Sequence, residues 1–396
     1  MNKEGIKARH SHLWLLITLA GLTTLPALCT DMYLPGFPAV AHSFHVQISA
    51  LQLTFASFSL GAGLGQLFYG PISDRFGRRL PVLFGLILFI ASSVLCGTAT
   101  NLSELIIYRF LQALGGAGGM VIARAIVRDR LSGIEMAKMM SAMGMIFVLS
   151  PTLAPSIGSL ILRFGHWPWI FIGLAIFGVI ILIGTLGIQE SLPPENRNEH
   201  GVKQALKSYR EITQSHEWRS AALIAIGGGF LTFGYVSSSA AVLIGTYHVS
   251  TGNYGLLFAL ISIGLLTSNR VNIKFLHRVG LMGMLKRFTL VQTVAASLVL
   301  VASIFQAPLW ILLTLIVICF GCAPGMSGNA MTLAMHPFPD KAGSASAMIG
   351  LAQFFGSGFI AAALAVIHGN VLIKMGIAMV VGASISFVQV RRIKEA

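Results

Sequence analysis

The chain has 396 residues, of which 55% are hydrophobic and only 10% are charged. Because a soluble domain carries roughly 25% charged residues, this composition excludes an ordinary soluble protein and indicates a membrane protein. The formal net charge of +14 is spread over many short segments and forms no basic cluster interleaved with aromatic residues, so we expect no nucleic acid as a partner.

Long apolar runs recur along the whole chain. A helix needs ~20 apolar residues to cross a bilayer, whereas the strands of a membrane β-barrel would appear as short alternating segments. The runs here are long and continuously apolar, so they predict an all-α integral membrane protein with twelve transmembrane helices. These spans cover residues 13–38, 49–69, 80–98, 102–127, 137–162, 169–188, 221–245, 254–276, 283–305, 309–335, 342–368 and 371–390.

A polar stretch over residues 189–219 separates the sixth span from the seventh. It contains two prolines, several charges and a short amphipathic run over 202–212. We interpret it as a cytoplasmic linker between an N-terminal six-helix half, residues 1–188, and a C-terminal six-helix half, residues 220–396. Two similar halves related by an axis along the membrane normal fit this organisation.

Lysine and arginine are concentrated at alternate ends of the predicted spans. They occur at both termini and in the segments 70–79, 128–138, 189–219 and 270–287. The intervening loops have almost none, with Arg163 as an exception. Because basic loops stay on the cytoplasmic side, the pattern predicts that both termini are cytoplasmic.

A charged ten-residue segment, 70–79, lies between the second and third spans. We expect Gly70 and Pro71 to end the second helix, because proline lacks a donor and clashes with the preceding turn. Gly77 allows the backbone conformations of a tight loop. Four charged residues, Asp74, Arg75, Arg78 and Arg79, place this loop in water beside the bilayer. An anchor for the topology would require neither the aspartate nor the glycine and proline frame.

This segment resembles the signature loop between helices two and three of the major facilitator superfamily. The family pattern is matched by Gly70, Asp74, Arg75, Gly77, Arg78 and Arg79. Three further stretches, 30–35, 109–116 and 150–155, resemble the Bcr/CflA-like drug–proton antiporter group within that family. The resemblance covers nearly the whole chain and is strongest in the first half.

The resemblance implies a proton-coupled transporter that exports drug-like or small amphipathic molecules across the bacterial cytoplasmic membrane. Its partners would be a small-molecule substrate, protons and the lipid bilayer, and we expect a monomer. We expect no cofactor and no metal. The expected energy source is the proton gradient and not ATP, since the sequence has no phosphate-binding loop with Lys and Ser/Thr. A metabolite or siderophore transporter of the same fold is the alternative, and an integral-membrane enzyme or sensor is a more remote one.

The distribution of acidic residues singles out one position. Of the 13 Asp and Glu residues, only Asp31 lies well inside a predicted span. A lone ionisable group at that depth costs ~2.5–3.5 kcal/mol on insertion scales and is a functional candidate by default. We therefore predict that Asp31 carries the transported proton; the alternative is a hydrogen-bonded aspartate that fixes a helix.

Arg109 in the fourth span is the expected partner of Asp31. Both residues lie about seven residues from the same end of their helices, so at ~1.5 Å per residue both are near 10 Å deep. The matched depth permits contact. The resemblance implies a role for this arginine in proton or substrate coupling, whereas an arginine snorkelling outward is the alternative.

Two further groups have roles implied by the resemblance. Asp74, Arg78 and Asp129 fall at helix ends on the predicted cytoplasmic side, where such charges hold the inner gate closed in related proteins. In the fifth span, Pro151, Pro155 and Gly158 share one helix face and resemble the antiporter motif, although Ser159 stands where a second glycine is usual. Prolines that bend the helix would favour close packing at this face.

A substrate pocket in this class of protein needs apolar and aromatic walls with few polar groups. The side chains that meet this description on predicted inner helix faces are Tyr33, Gln52, Phe55, Ser59, Gln112, Phe230, Phe233, Tyr235, Asn329, Gln353 and Phe354. We predict the substrate site from the set as a whole, because each member taken alone is typical of simple helix packing.

Overall fold

The computed structural model describes residues 3–197 and 201–393, which are almost entirely helical and contain no β-strand. The helices are α1 (Lys3–Asp31), α2 (Phe37–Phe44), α3 (Gln52–Phe76), α4 (Arg79–Thr98), α5 (Leu102–Arg130), α6 (Gly133–Phe164), α7 (Pro168–Leu186), α8 (Gly201–Ile212), α9 (His216–Ala240), α10 (Thr251–Ile304), α11 (Leu309–Met335), α12 (Ala342–Val366) and α13 (Val371–Arg392). Within the described residues, eleven stretches are long and apolar enough to cross a membrane. The prediction of an all-α membrane protein is therefore confirmed.

The eighth predicted span, residues 254–276, is not among these eleven stretches. Helix α10 runs over 54 residues and covers both predicted spans 254–276 and 283–305. Of the first of these, only Thr251–Ile261 qualifies as a shorter apolar helix in the part of the chain that the structure describes. The two spans are separated inside α10 at Gly280, whose φ of 73° is not helical.

The helices form two groups that meet along two lines. In the first group, α3 and α4 both pack on α5, and α1 packs on α6. In the second group, α9 packs on α12 and α13, and α10 on α11. The groups meet where α3 contacts α12 and where α6 contacts α10. We call the side with α8 and the turn between α3 and α4 the linker face, and the side with the turn between α4 and α5 the opposite face.

Glycines on α3, α4 and α5 permit the close packing of the first group. A Cβ on Gly61 would overlap the carbonyl oxygen of Phe110, and a Cβ on Gly85 would lie 2.8 Å from that of Gly115. Membrane helices associate through small residues that let their backbones approach. Helices α3 and α4 therefore both pack closely against α5.

The first span is not one continuous helix, contrary to the predicted run over 13–38. Helix α1 ends at Asp31, a short 3₁₀ turn follows over Leu34–Gly36, and α2 continues to Phe44. In an unbroken helix the carbonyl of Asp31 would accept the N–H of residue 35, but Pro35 has none. Pro35 therefore interrupts the first span close to the carboxylate of Asp31.

The prediction that Gly70 and Pro71 end the second helix is wrong. Helix α3 continues through both to Phe76, so most of the segment 70–79 is helical. Pro71 leaves the carbonyl of Leu67 without its helical donor. The hydroxyl of Tyr209 in α8 donates to that carbonyl at 2.9 Å, which replaces the missing hydrogen bond.

The turns at Gly77 and Gly280 have the same backbone conformation. Gly77 has φ 89° and ψ 169°, and Gly280 has φ 73° and ψ 169°. Positive φ at these values favours glycine, which has no Cβ to clash. Each glycine separates the second and third spans of its helix group. The two groups therefore share this turn, although the sequences around Gly77 and Gly280 have little in common.

Candidate functional site

Asp31 lies at the interrupted end of α1, inside the protein and 7% exposed. It is the only acidic residue among the buried side chains that the structure describes. The hydroxyl oxygen of Thr30 lies 3.2 Å from its Oδ1 and 2.9 Å from the carbonyl oxygen of Ala27, so these two acceptors share one O–H donor. Broken helices at membrane depth line binding sites in transporters, because their unpaired backbone groups need polar partners.

The break that follows Asp31 meets the second helix group. The 3₁₀ turn Leu34–Gly36 contacts α9 and α10, and the hydroxyl of Tyr254 in α10 is hydrogen-bonded at 2.6 Å to Ser239 of α9. Both Tyr254 and Ser239 are fully buried. The carboxylate is thus located between the two helix groups, where a relative motion of the groups would change its surroundings.

Arg109 is fully buried and is enclosed by aromatic rings. The centre of its guanidinium lies 4.2 Å from the ring centroid of Phe58, 5.2 Å from that of Tyr33 and 5.9 Å from that of Phe171. Its Nη1 donates to Oε1 of Gln112 at 2.6 Å. Contacts of this kind between cations and aromatic faces are worth ~2 kcal/mol when desolvated.

The expected contact between Asp31 and Arg109 is absent among the described residues, which form no ion pair at this position. Arg109 instead contacts the ring of Tyr33, which lies beyond the end of α1, and its Nη1 donates to Gln112. Asp31 and Arg109 therefore have different neighbours in this conformation.

One edge of the Arg109 guanidinium has no acceptor. Nε and Nη2 are buried and find no hydrogen-bond partner within the described part of the chain. This pair of N–H groups forms a fork that matches a carboxylate bidentately. In this conformation the buried carboxyl group of Asp31 and the buried guanidinium group of Arg109 form no ion pair, and the guanidinium keeps two N–H groups without a partner among the described residues.

The charged cluster at the linker face is centred on Arg78. Its Nε donates to Oδ2 of Asp129 at 2.9 Å, its Nη1 donates to Ser73 at 2.9 Å, and it also forms an ion pair with Asp74. Asp129 accepts a further hydrogen bond from Ser191 at 2.9 Å. The cluster thus joins the ends of α3, α4 and α5 to the chain beyond α7.

Glu190 completes this cluster and was missed by the sequence analysis. Its carboxylate accepts the backbone N–H groups of Arg78 at 2.8 Å and Arg79 at 3.0 Å, which are the donors that the start of α4 leaves free. Partial burial would raise its pKa, but backbone donors from Leu192, Arg78, Arg79 and Ser191 together lower it. The resulting stabilisation is complete above the ordinary pKa of glutamate and is lost as the pH falls through the lowered value.

Replacing Asp74 with asparagine should weaken transport without preventing insertion. Arg78 keeps Asp129 as its partner, and Asp74 is half exposed, so the lost ion pair is worth only ~0.2–1 kcal/mol. That amount changes conformational populations up to about fivefold. Accessibility of single cysteines placed on the linker face should rise in Asp74→Asn. Glu135→Gln, which breaks an exposed pair with Lys138, is the matched control. Unchanged transport and unchanged accessibility would contradict the expectation.

Helix α6 contains Pro151 and Pro155 and touches both helix groups. A Cβ on Gly158 would overlap the carbonyl of Met32, beside the break in the first span. Two residues earlier, Ser156 packs against Gly255 at the start of α10. The proline-containing part of α6 thus contacts both the helix break next to Asp31 and the second helix group.

Several predicted substrate-binding residues come together near the opposite face. The ring of Phe55 lies 6.2 Å from those of Tyr33 and Phe233, and Gln52 donates to Ser238 at 3.2 Å. Phe233 and Ser238 belong to α9, so these contacts cross between the helix groups. They close the space between the groups at the opposite face. Ser59 lies on the same face of α3 as Gln52 and Phe55. It is fully buried, without a hydrogen-bond partner among the described residues.

The other predicted members of the substrate site lie elsewhere. Phe230 stacks on Phe359, whose side chain is 58% exposed on the outer surface. Asn329 donates to Asn272 in α10 at 3.0 Å.

Tyr235 packs on Phe258 and Phe320 within the second group. Phe354 lies near Gly63 on the α3–α12 contact, and Gln353 is exposed. The membership of these residues in a substrate site stays a prediction.

The sequence analysis also missed the residues that surround the two ionisable groups. Phe58 and Phe171 enclose Arg109, and the hydrogen-bonded pair Tyr254 and Ser239 belongs to the helices that contact the turn after Asp31. The aromatic residues resemble those of any apolar span. A buried tyrosine and serine in separate helices share no sequence signal, so only the three-dimensional packing brings them to the site.

Comparison with known proteins identifies relatives over nearly the whole chain. The chain is 32% identical over 376 residues to the uncharacterized MFS-type transporter YdgK of Bacillus subtilis, covering 94% of this chain and 93% of that protein. It is 30% identical over 349 residues to the bicyclomycin resistance protein homolog of Haemophilus influenzae, covering 86% and 85%. It is 29% identical over 380 residues to the multidrug resistance protein MdtL of Vibrio parahaemolyticus, covering 94% and 93%.

Solved structures share the fold at low sequence identity. The D-xylose-proton symporter superposes with a TM-score of 0.76 at 18% identity, covering 95% of this chain and 96% of that one. A bacterial homolog of the human lysosomal transporter Spinster, in an inward-facing conformation, gives a TM-score of 0.70 at 17% identity, covering 96% of each. The family model of the Major Facilitator Superfamily matches residues 19–362. The chain is a multi-pass membrane protein that belongs to the Major Facilitator Superfamily.

Proposed function

We propose that the protein is a proton-coupled secondary transporter that exports drug-like or small amphipathic molecules across the bacterial cytoplasmic membrane. The observation that carries the proposal is the position of Asp31, a buried carboxylate at a helix break between the two helix groups. Relatives named bicyclomycin resistance protein and multidrug resistance protein support the substrate class. In this proposal the protein acts as a monomer, needs no cofactor and catalyses no reaction.

The proposed mechanism uses residues 1–188 and 220–396 as halves that rock about the site, with 189–219 as the cytoplasmic linker and both termini in the cytoplasm. The linker face is then the cytoplasmic side, and the contacts of Gln52 and Phe55 with α9 close the outer side. The cluster around Arg78 opens and closes with the inner gate. This orientation follows from the basic residues at the linker face.

Asp31 would load and release the proton as the halves move. In the present conformation its carboxyl group is buried and forms no ion pair with Arg109 among the described residues, and burial without a cationic partner favours the neutral acid. When the inner side opens, the free Nε–H and Nη2–H groups of Arg109 would donate hydrogen bonds to the carboxylate, which favours release of the proton to the cytoplasm. A cationic substrate could take the place of Arg109 by competing for Asp31.

Replacing both Pro151 and Pro155 with alanine should uncouple flux from the proton gradient. Alanine restores the backbone donors that proline lacks and straightens the helix, which would disturb the packing of Gly158 on Met32. Proton leak and substrate flux are measured in the same vesicles. Leu153→Ala, at an exposed position between the prolines, is the control. A double variant that transports with the parental coupling ratio would reduce the motif to a packing feature.

The substrate class can be tested by growth on a compound panel. A strain that overproduces the protein is compared with one that overproduces Asp31→Asn at equal membrane levels. We expect resistance to a subset of amphipathic compounds in the first strain only. Identical growth of both strains across the panel would contradict drug efflux and would favour a metabolite transporter of the same fold.

A further inference from the structure

A deep apolar crevice opens on the outer surface of the first helix group, between α3 and α4 near the linker face. Its volume is ≈ 530 Å³, within the range of sites that hold a small organic molecule. The walls come from α3 and α4 and the floor from Leu114 of α5. The lining side chains include Phe68, Ile72, Phe84 and Leu88, and Tyr69 is the only one that carries a polar atom.

The crevice follows from how the three helices pack. Both α3 and α4 rest closely on α5 through their glycines, including Gly65, which lies against Ala117 and Leu114. They contact each other far less than either contacts α5. Their contacts with each other include the Arg78 cluster at the linker face and the packing of Tyr69 on Gly85, and a space remains between the two helices on the outer surface.

Unpaired positive charge lies at the mouth of this crevice. Arg75 and Arg79 are exposed and flank Phe76 and Leu80, which line the entrance. Neither arginine forms an ion pair within the residues that the structure describes; Arg75 covers the ring of Phe76, and Arg79 donates to the carbonyl of Leu186. The acids nearby are already engaged by Arg78.

We propose that the crevice binds one acyl chain of an anionic phospholipid, with the phosphate at Arg75 and Arg79. The depth supports this occupant. From Phe76 back to Gly65, α3 advances by eleven residue steps, which is ~16 Å at ~1.5 Å per step. One leaflet of the hydrocarbon core is ~15 Å thick. An apolar slot of leaflet depth below two exposed arginines that have no carboxylate partner among the described residues matches an acyl chain below an anionic headgroup.

The site can be tested with a reporter tryptophan in nanodiscs. Phe84→Trp places the reporter in the crevice, and its fluorescence, taken as the difference from the parent protein, is quenched by lipids with brominated acyl chains. We expect brominated phosphatidylglycerol to quench more strongly than brominated phosphatidylcholine at equal mole fraction. The apparent affinity for phosphatidylglycerol should fall about fivefold for each arginine replaced by glutamine.

Matched variants separate charge from packing. Arg75→Lys with Arg79→Lys should keep the preference for the anionic lipid, and Arg163→Gln, at an exposed arginine near the opposite face, should not change it. Phe359→Trp, on the exposed surface of α12, should be quenched equally by both lipids. Equal quenching of Phe84→Trp by both lipids, or a preference that survives Arg75→Gln with Arg79→Gln, would overturn the proposal. Protection of this tryptophan from both lipids would also overturn it, because another protein chain would then fill the crevice.

Discussion

Asp31→Asn should abolish uphill, proton-driven export while leaving downhill exchange of substrate intact. Asparagine keeps the size of the side chain and its hydrogen bond with Thr30, so we expect the helix break and the fold to persist. It cannot bind and release a proton. A gradient of about one pH unit supplies ~1.4 kcal/mol per proton, or up to about tenfold accumulation of a neutral substrate exchanged for one proton. In the variant, that accumulation should fall to none.

Glu104→Gln provides the matched control for Asp31→Asn. Glu104 was the next acid by depth, but its carboxylate accepts the backbone N–H of Thr100 at 2.9 Å, and its own N–H donates to Asn101. This reciprocal arrangement caps the start of α5. We therefore expect Glu104→Gln to transport uphill normally. Uphill transport by Asp31→Asn would remove Asp31 from the mechanism.

Arg109→Ala should fail at neutral pH by moving the pH dependence of transport. In the proposed cycle the guanidinium stabilises the carboxylate of Asp31 when the proton must leave. Without it the acid retains its proton, and release needs a more alkaline solution. Since a nearby opposite charge changes the proton affinity of a carboxyl by about one to three units, we expect the transport profile to move to higher pH by a similar amount.

The measurement is the initial rate of exchange at a series of pH values, with Arg124→Ala on the exposed side of the same helix as the control. Arg109→Lys should behave more like Arg109→Ala than like the parent, because an ammonium group does not provide the guanidinium fork. A uniform loss of rate at every pH would contradict the proposed role and would indicate a structural one, through the packing of Phe58 and Tyr33 on the guanidinium.

The sequence was sufficient to predict the membrane class and most of the spans, because these depend on composition, span length and local charge. It did not predict the break after Asp31 or the continuation of α3 through Pro71. The position of Asp31 inside a span was predictable for the same reason. Its direction was not, since matched depth along two helices says nothing about rotation about their axes. Asp31 and Arg109 consequently have similar depth but face different neighbours.

Other features depend on contacts between distant parts of the chain. Pro71 is tolerated inside α3 because Tyr209, far along the sequence, supplies a donor to Leu67. Glu190 looked like one of many acids in the linker, yet it accepts the free amides at the start of α4. Propensity rules describe a residue with its sequence neighbours, so they could not anticipate compensation from another element.

The most direct test of the account is substrate accumulation in proteoliposomes under an imposed pH gradient. The substrate is a compound selected by the growth panel, and the parent protein, Asp31→Asn and Glu104→Gln are compared at equal reconstitution. We predict that the parent and Glu104→Gln accumulate the compound only while the gradient persists, and that Asp31→Asn merely equilibrates it. Accumulation by the parent that is unaffected when a protonophore collapses the gradient would contradict proton-coupled transport through Asp31.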